Sequence, residues 1–223
     1  MFGEIAPRYD LLNRMLSAGV DRRWRLAAVK VALQHQPRRV LDLACGTGDM
    51  ALWLKRLAPQ AEVTGGDFAE PMLVIARQKA RQAGLELPFQ TADALALPFA
   101  DQSFDAITIA FGFRNFADYP RALSELYRVL APGGRVCILE FPPPPRGLLG
   151  GLYRFYFVKI LPLIGGIISG KPQAYRYLPD SVERFPAPQV LAQMMKQAGF
   201  APVRYTLFSG RIAALHVGEK PTG

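Results

Sequence analysis

Seven short runs of β-branched and apolar residues punctuate the chain: Val40 to Leu43, Glu62 to Gly66, Leu87 to Thr91, Ala106 to Phe111, Val136 to Glu140, Val203 to Phe208 and Ile212 to Val217. Runs of this length, bounded by Gly, Pro and Asp, read as strands. Between the first five, Met50 to Leu57, Pro71 to Ala83 and Tyr119 to Leu130 carry apolar residues at helical spacing, and Asp93 to Ser103 is a short loop. Strand alternating with helix predicts an α/β protein of Rossmann-like type, with a mostly parallel sheet covered on both faces. Gly84 is placed to close the second helix, and Pro132, Gly133 and Gly134 the third. Only a short connection containing Ser209 and Gly210 separates the last two runs, which predicts a hairpin with one strand antiparallel at the sheet edge.

Two segments stand outside this alternation. Residues 1–36 read as an N-terminal helical arm, with Ile5, Tyr9, Leu12, Met15 and Leu16 on one face and a second helix from about Asp21. Residues 141–186 form an insert that leaves the fifth strand through Pro142 to Pro145 and then turns apolar from Gly147 to Gly170. That stretch is long enough to cross a bilayer, yet Arg154 and Lys159 interrupt its apolar character and Pro162, Gly165 and Gly166 break it. It reads as a segment packed on the sheet or as a cover over a large apolar substrate, with Tyr153, Phe155, Tyr156 and Phe157 lining a pocket or touching a membrane surface. The whole is expected to be one domain: the arm, a cofactor-binding core over 37–140, the insert, and a final helix and hairpin over 187–223.

The chemistry concentrates after the first strand, where residues 42–49 read DLACGTGD. A loop that leaves a buried strand and opens a helix must turn sharply, and Gly46 and Gly48 permit both the turn and close approach of a ligand to bare backbone. Asp67 ends the second run about 20 residues later, the distance at which an acid reaches a ribose hydroxyl pair. Asp93 ends the third. The segment from Gly46 to Ala51 satisfies G-x-G-x-x-A, so a dinucleotide is one reading. A pyrophosphate between Asp42 and Asp49 would set negative charge against negative charge, however. S-adenosylmethionine carries a sulfonium and an ammonium and no phosphate, so the same acids attract it. The candidate cofactor set is Asp42, Gly46, Thr47, Gly48, Asp67 with its neighbour Phe68, and Asp93 with Ala94. In it Asp67 accepts from the ribose and Asp93 faces the adenine amine.

Composition narrows the class. The chain has 223 residues, 50% of them hydrophobic and 20% charged, as expected of a folded globular domain. Cys45, Cys137, His35 and His216 give no metal or disulfide spacing, and Cys45 reads as a small loop filler. Glu4, Arg8 and Asp10 break any signal peptide, so a cytoplasmic location is expected. The net charge of +9 is spread along the chain rather than gathered in a stripe, which argues against nucleic acid and suits either an anionic membrane surface or a generic basic surface.

Further stretches are more specific. Tyr9 to Trp24 (YDLLNRMLSAGVDRRW), Thr108 to Asp118 (TIAFGFRNFAD), Glu125 to Phe141 (ELYRVLAPGGRVCILEF) and Tyr175 to Pro186 (YRYLPDSVERFP) resemble the motifs of the ubiquinone and menaquinone biosynthesis C-methyltransferases. The resemblance covers nearly the whole chain. It departs at Asp21, where the family commonly has His, at Ala131 for Lys, at Pro142 for Ser, and at Ala110, where some members have a serine that touches the cofactor.

The resemblance implies a class I methyltransferase fold and methyl transfer from S-adenosylmethionine to a ring carbon of a reduced polyprenyl quinone precursor, a benzoquinol or a naphthoquinol. It implies a substrate met at the membrane surface without a transmembrane span, and a homo-oligomer is compatible with it. It also points to Arg114, Asn115 and Tyr9 as the catalytic set. Arg114 would stabilise a phenolate or hold an activated water, Asn115 would orient the same oxygen, and the Tyr9 hydroxyl would join a proton relay. The competing reading of Arg114 is a structural salt bridge to an acid such as Asp118.

Overall fold

The computed structural model describes residues 19–144 and 179–223. Tyr9, the start of the Tyr175 to Pro186 stretch, the expected first helix of the arm and most of the apolar insert lie outside the described residues. The strands are β1 (Arg39–Leu43), β2 (Glu62–Asp67), β3 (Phe89–Thr91), β4 (Phe104–Ala110), β5 (Leu130–Glu140), β6 (Val203–Phe208) and β7 (Ala213–Glu219). The α-helices with both ends among the described residues are α1 (Asp21–Ala32), α2 (Asp49–Leu57), α3 (Glu70–Gln82), α4 (Tyr119–Val129) and α5 (Pro188–Gln197). The strands form one sheet in the order β3-β2-β1-β4-β5-β7-β6, parallel from β3 to β5. The hairpin closes the other edge, with β7 antiparallel to both β5 and β6.

Side chains alternate across each strand, which divides the core into two layers. Val40, Ala106, Cys137 and Leu139 face Trp24, Ala28 and Val29 of α1, Met50 and Leu54 of α2, and Leu73 and Ala76 of α3. Leu41, Leu43, Ile107, Ile109 and Ile138 face Leu123 and Leu126 of α4 and Leu191 and Met195 of α5. The central strands read as unbroken apolar runs because both their faces are covered.

The start of β5 departs from expectation. Helix α4 ends at Val129 without a glycine cap, and Pro132, Gly133 and Gly134 already belong to β5. Pairing with β4 slips there, from Leu130 opposite Phe104 to Arg135 opposite Ala106. Gly133, at φ +75°, donates its N–H to the Lys220 carbonyl at 2.8 Å, and Lys220 donates back to Gly134 at 2.9 Å. These glycines therefore shape a bulge that receives the C-terminal segment. Strand β3 is shorter than its apolar run, because Pro88 has no N–H to give the ladder.

Phe89 links the sheet to the loop above it. Its ring fills the space that a side chain at Gly65 would need: a Cβ there would lie 2.3 Å from the ring, and one at Gly48 would lie 3.1 Å from it. Gly65→Ala is expected to lower stability by about 1–3 kcal/mol in urea denaturation, as overpacking does. Phe89→Leu in the same chain should recover part of that loss.

Candidate active site

The parallel strands end their carboxyl termini on one side of the sheet, and a cavity of about 390 Å³ opens there. The loop after β1 forms its floor. Ala44 at φ +53°, Gly46 at +55° and Gly48 at +82° reverse the chain, and Gly48 hands it to α2. Asp67, the last residue of β2, holds this loop in place. One of its carboxylate oxygens accepts from the Gly46 N–H at 2.8 Å and the other from the Ala69 N–H at 2.9 Å. A carboxylate has about four acceptor positions, so capacity remains for a ligand. Burial raises the Asp67 pKa from its ordinary value, against the lowering effect of the backbone donors at Ala69, Gly46 and Phe68.

The expected residues take different places. Gly46, Asp67, Phe68, Asp93, Ala94 and Asn115 line the cavity together with Leu43, Met72, Phe111 and Phe116. Phe68 is 76% exposed there, an unusual state for a large apolar ring and one that a stacking ligand would relieve. Asp93 accepts from the Leu95 N–H at 2.9 Å, which curls the β3 exit into the wall. Thr47 lines a narrow extension of the cavity on the far side of Gly46, and its hydroxyl accepts from Lys79 Nζ at 3.0 Å. Lys79 also pairs with Asp49 at 2.7 Å, so that acid does not act alone at the loop. Gly48 lies beneath the turn against Phe89 and Ala76.

Asp42 and Arg114 are more deeply placed than the sequence suggests. Period two turns Asp42 to the α1 side of the sheet, where it is 1% exposed and accepts from the Thr108 hydroxyl at 2.7 Å. Its second oxygen meets no protein donor among the described residues. Burial is the largest influence and carries its pKa up to about 7, opposed by the Thr108 hydrogen bond and the Arg25 charge. Arg114 pairs with Glu140, the last residue of β5, and not with Asp118, which accepts from the Arg121 N–H and caps α4. Its Nη1 reaches both Glu140 oxygens, at 3.1 and 3.0 Å, and also the Phe111 carbonyl. Glu140 in turn accepts from the Arg114 and Phe141 backbone N–H groups. The Nε of Arg114 is buried and meets no acceptor among the described residues.

Sequence reasoning missed Glu140, although an acid ending the fifth apolar run continues the pattern of Asp42, Asp67 and Asp93. It also missed Gly112, whose signal is invisible locally. A Cβ at Gly112 would lie 2.4 Å from the Ala44 Cβ, so the β4 exit can approach the β1 loop only without a side chain.

An open, mostly parallel sheet with a hairpin edge, a glycine turn after β1 and an acid ending β2 make up the Rossmann-like fold of class I methyltransferases. The model of the ubiE/COQ5 methyltransferase family matches residues 1–220, and the chain belongs to that family. It is 66% identical to the demethylmenaquinone methyltransferase of Thermus thermophilus over 99% of this chain and 100% of that one. It is 48% identical to the ubiquinone/menaquinone biosynthesis C-methyltransferase of a Geobacter species, over 99% of this chain and 94% of the relative. Among solved structures, the [4+2]-cyclase SpnF shares the fold at a TM-score of 0.71 and 20% identity, covering 92% of this chain and 83% of that one. The protein is a methyltransferase, and its methyl donor is S-adenosylmethionine.

Two outcomes test this geometry. Gly112→Ala should cost about 1–3 kcal/mol in thermal or urea unfolding. Ala44→Gly in the same chain should restore most of it, because the two sites share one space. For Asp42, a folded pKa above the unfolded value of 3.8 means that its contribution to stability is full below about pH 4 and is lost as pH rises to about 7. Asp42→Asn does not titrate, so its stability relative to the parent chain should rise between pH 4 and pH 7.5, on the order of 3 kcal/mol, in urea titrations at both pH values.

Proposed function

We propose that this chain methylates a ring carbon of a reduced polyprenyl quinone, with demethylmenaquinol as the acceptor. The observation that carries this reading is the 66% identity, end to end, with a demethylmenaquinone methyltransferase. The cavity supports it: Phe111, Phe116, Met72 and Leu95 give an apolar wall suited to a flat aromatic ring, and Asn115 supplies a polar group.

When bound, S-adenosylmethionine supplies a methyl group on a positively charged sulfur, already activated for displacement. The chain's own residues have to bind, align and deprotonate. Asp67 and Asp93 would hold the nucleoside end, the first suited to the ribose hydroxyls and the second to the adenine amine, with Phe68 and Ala94 beside them and Gly46, Thr47 and Gly48 shaping the turn. Buried Asp42 acts through its field rather than by contact. Alignment of two reactants in such a crevice lowers a barrier by roughly 7 to 11 kcal/mol in favourable cases.

The acceptor carbon becomes nucleophilic when its neighbouring hydroxyl loses a proton. In the proposed arrangement the Arg114 guanidinium and the Asn115 amide stabilise the resulting phenolate, while Glu140 holds the guanidinium in one orientation. The proton would leave through water, with the hydroxyl of Tyr9, which lies outside the described residues, as the proposed relay. Methyl transfer would exchange the donor's carbon–sulfur bond for a new carbon–carbon bond, and the ring carbon would then lose its proton.

A benzoquinol acceptor is the second reading, favoured by the relatives named for both ubiquinone and menaquinone biosynthesis. We further propose that the protein works in the cytoplasm at an anionic membrane surface, to which its net charge of +9 would draw it. No helix among the described residues is long and apolar enough to cross a membrane.

Incubation with each reduced quinol type and mass analysis of the product decides the acceptor; absence of methylated product from either would overturn the assignment. Arg114→Ala should retain affinity for S-adenosylmethionine within about 3-fold and lose on the order of 100-fold or more in kcat, since the interaction forms only with the developing phenolate. Glu140→Gln, in calorimetry and kinetics, should follow the same pattern more weakly.

A further inference from the structure

We infer that Arg25 is the receptor for the carboxylate of the methionine moiety of S-adenosylmethionine. This concerns the donor alone and stands whichever acceptor is used. The main cavity and its narrow extension share Ala44, Gly46 and Ala110, so they are two parts of one crevice running over the glycine turn. Asp67, Phe68 and Asp93 lie in the wide part, suited to a nucleoside. The narrow part, suited to the amino-acid end, is lined by Arg25, and Asp49, the acid beside it, is paired with Lys79.

The placement of Arg25 is unusual for a solvated surface charge. It lies on α1 with a side chain only 15% exposed, and Phe111 sits 4.9 Å from its guanidinium carbon. Its Nε donates to Asp21, one helical turn earlier, at 3.4 Å. The terminal nitrogens have no acceptor among the described residues. A guanidinium with its stem buried, one face on an aromatic ring and its Nε directed by an acid is pre-organised, and its two remaining amines form the fork that matches a carboxylate.

Charge arrangement agrees with this polarity. The α-amino acid end of the donor is a zwitterion. The buried Asp42 carboxyl favours its ammonium, and Arg25 favours its carboxylate. A donor lacking the carboxylate would leave the two terminal amines of Arg25 without an acceptor, at a cost typical of a lost charge-assisted hydrogen bond.

Titration calorimetry of the full chain with S-adenosylmethionine and with its decarboxylated analogue tests the inference. Arg25→Ala should weaken S-adenosylmethionine by about 10- to 100-fold and leave the decarboxylated analogue unchanged or tighter. Arg25→Lys should fall between the two, because an ammonium keeps the charge and loses the fork. Equal weakening of both ligands, or unaltered affinity for S-adenosylmethionine, would overturn it. If thermal melts show Arg25→Ala to be unfolded, Arg25→Gln and Arg25→Lys carry the same two-ligand comparison.

Discussion

The Asp67 carboxylate ties the molecule's working edge together. It ends β2, yet its two oxygens accept from Gly46 in the loop after β1 and from Ala69 at the mouth of α3. One side chain thus sets the separation of two loops and the entry of a helix. The β1 loop cannot supply that restraint itself, since Ala44, Gly46 and Gly48 all adopt left-handed backbone conformations that no regular ladder would hold. Beneath it, the Phe89 ring occupies room left by Gly65 and Gly48, so the turn is held from above by hydrogen bonds and from below by packing.

Electrostatics adds a second layer to that frame. Asp42, Asp67 and Glu140 all lie at carboxyl ends of parallel strands, in surroundings where an isolated charge is costly. Each meets the cost differently. Glu140 shares its charge with Arg114 and two backbone donors. Asp67 accepts from backbone N–H groups. Asp42 keeps one hydroxyl partner and a pKa near neutrality. A donor that arrives with a positive charge and departs without it is served by such a field, and a pyrophosphate would be repelled by it.

Much of this was legible in the residues. The alternation of short apolar runs with helical patterns predicted the parallel core and the hairpin, because burial on both faces leaves a local signature. DLACGTGD and the acids at strand ends located the cavity for a similar reason: in a parallel sheet, the end of each strand is a place in the chain as well as a place in space. Reading failed where one local pattern served two purposes. Pro132, Gly133 and Gly134 look like a helix stop, and in the fold they shape a β5 bulge that accepts the chain's own C-terminal segment.

By itself, then, the chain's pattern determined the architecture, the edge of the sheet that carries the site and the positive charge expected of its donor. Only the tertiary structure decided which groups meet there: Arg114 with Glu140 rather than Asp118, Gly112 against Ala44, and Arg25 beside a loop that begins almost twenty residues later. The physical reason is that periodicity records which face of an element is buried, one element at a time. The angle at which α1 lies across β4 and β5, and the register of β4 beside β1, come from packing the whole core, and they alone bring side chains distant in sequence within reach of one another.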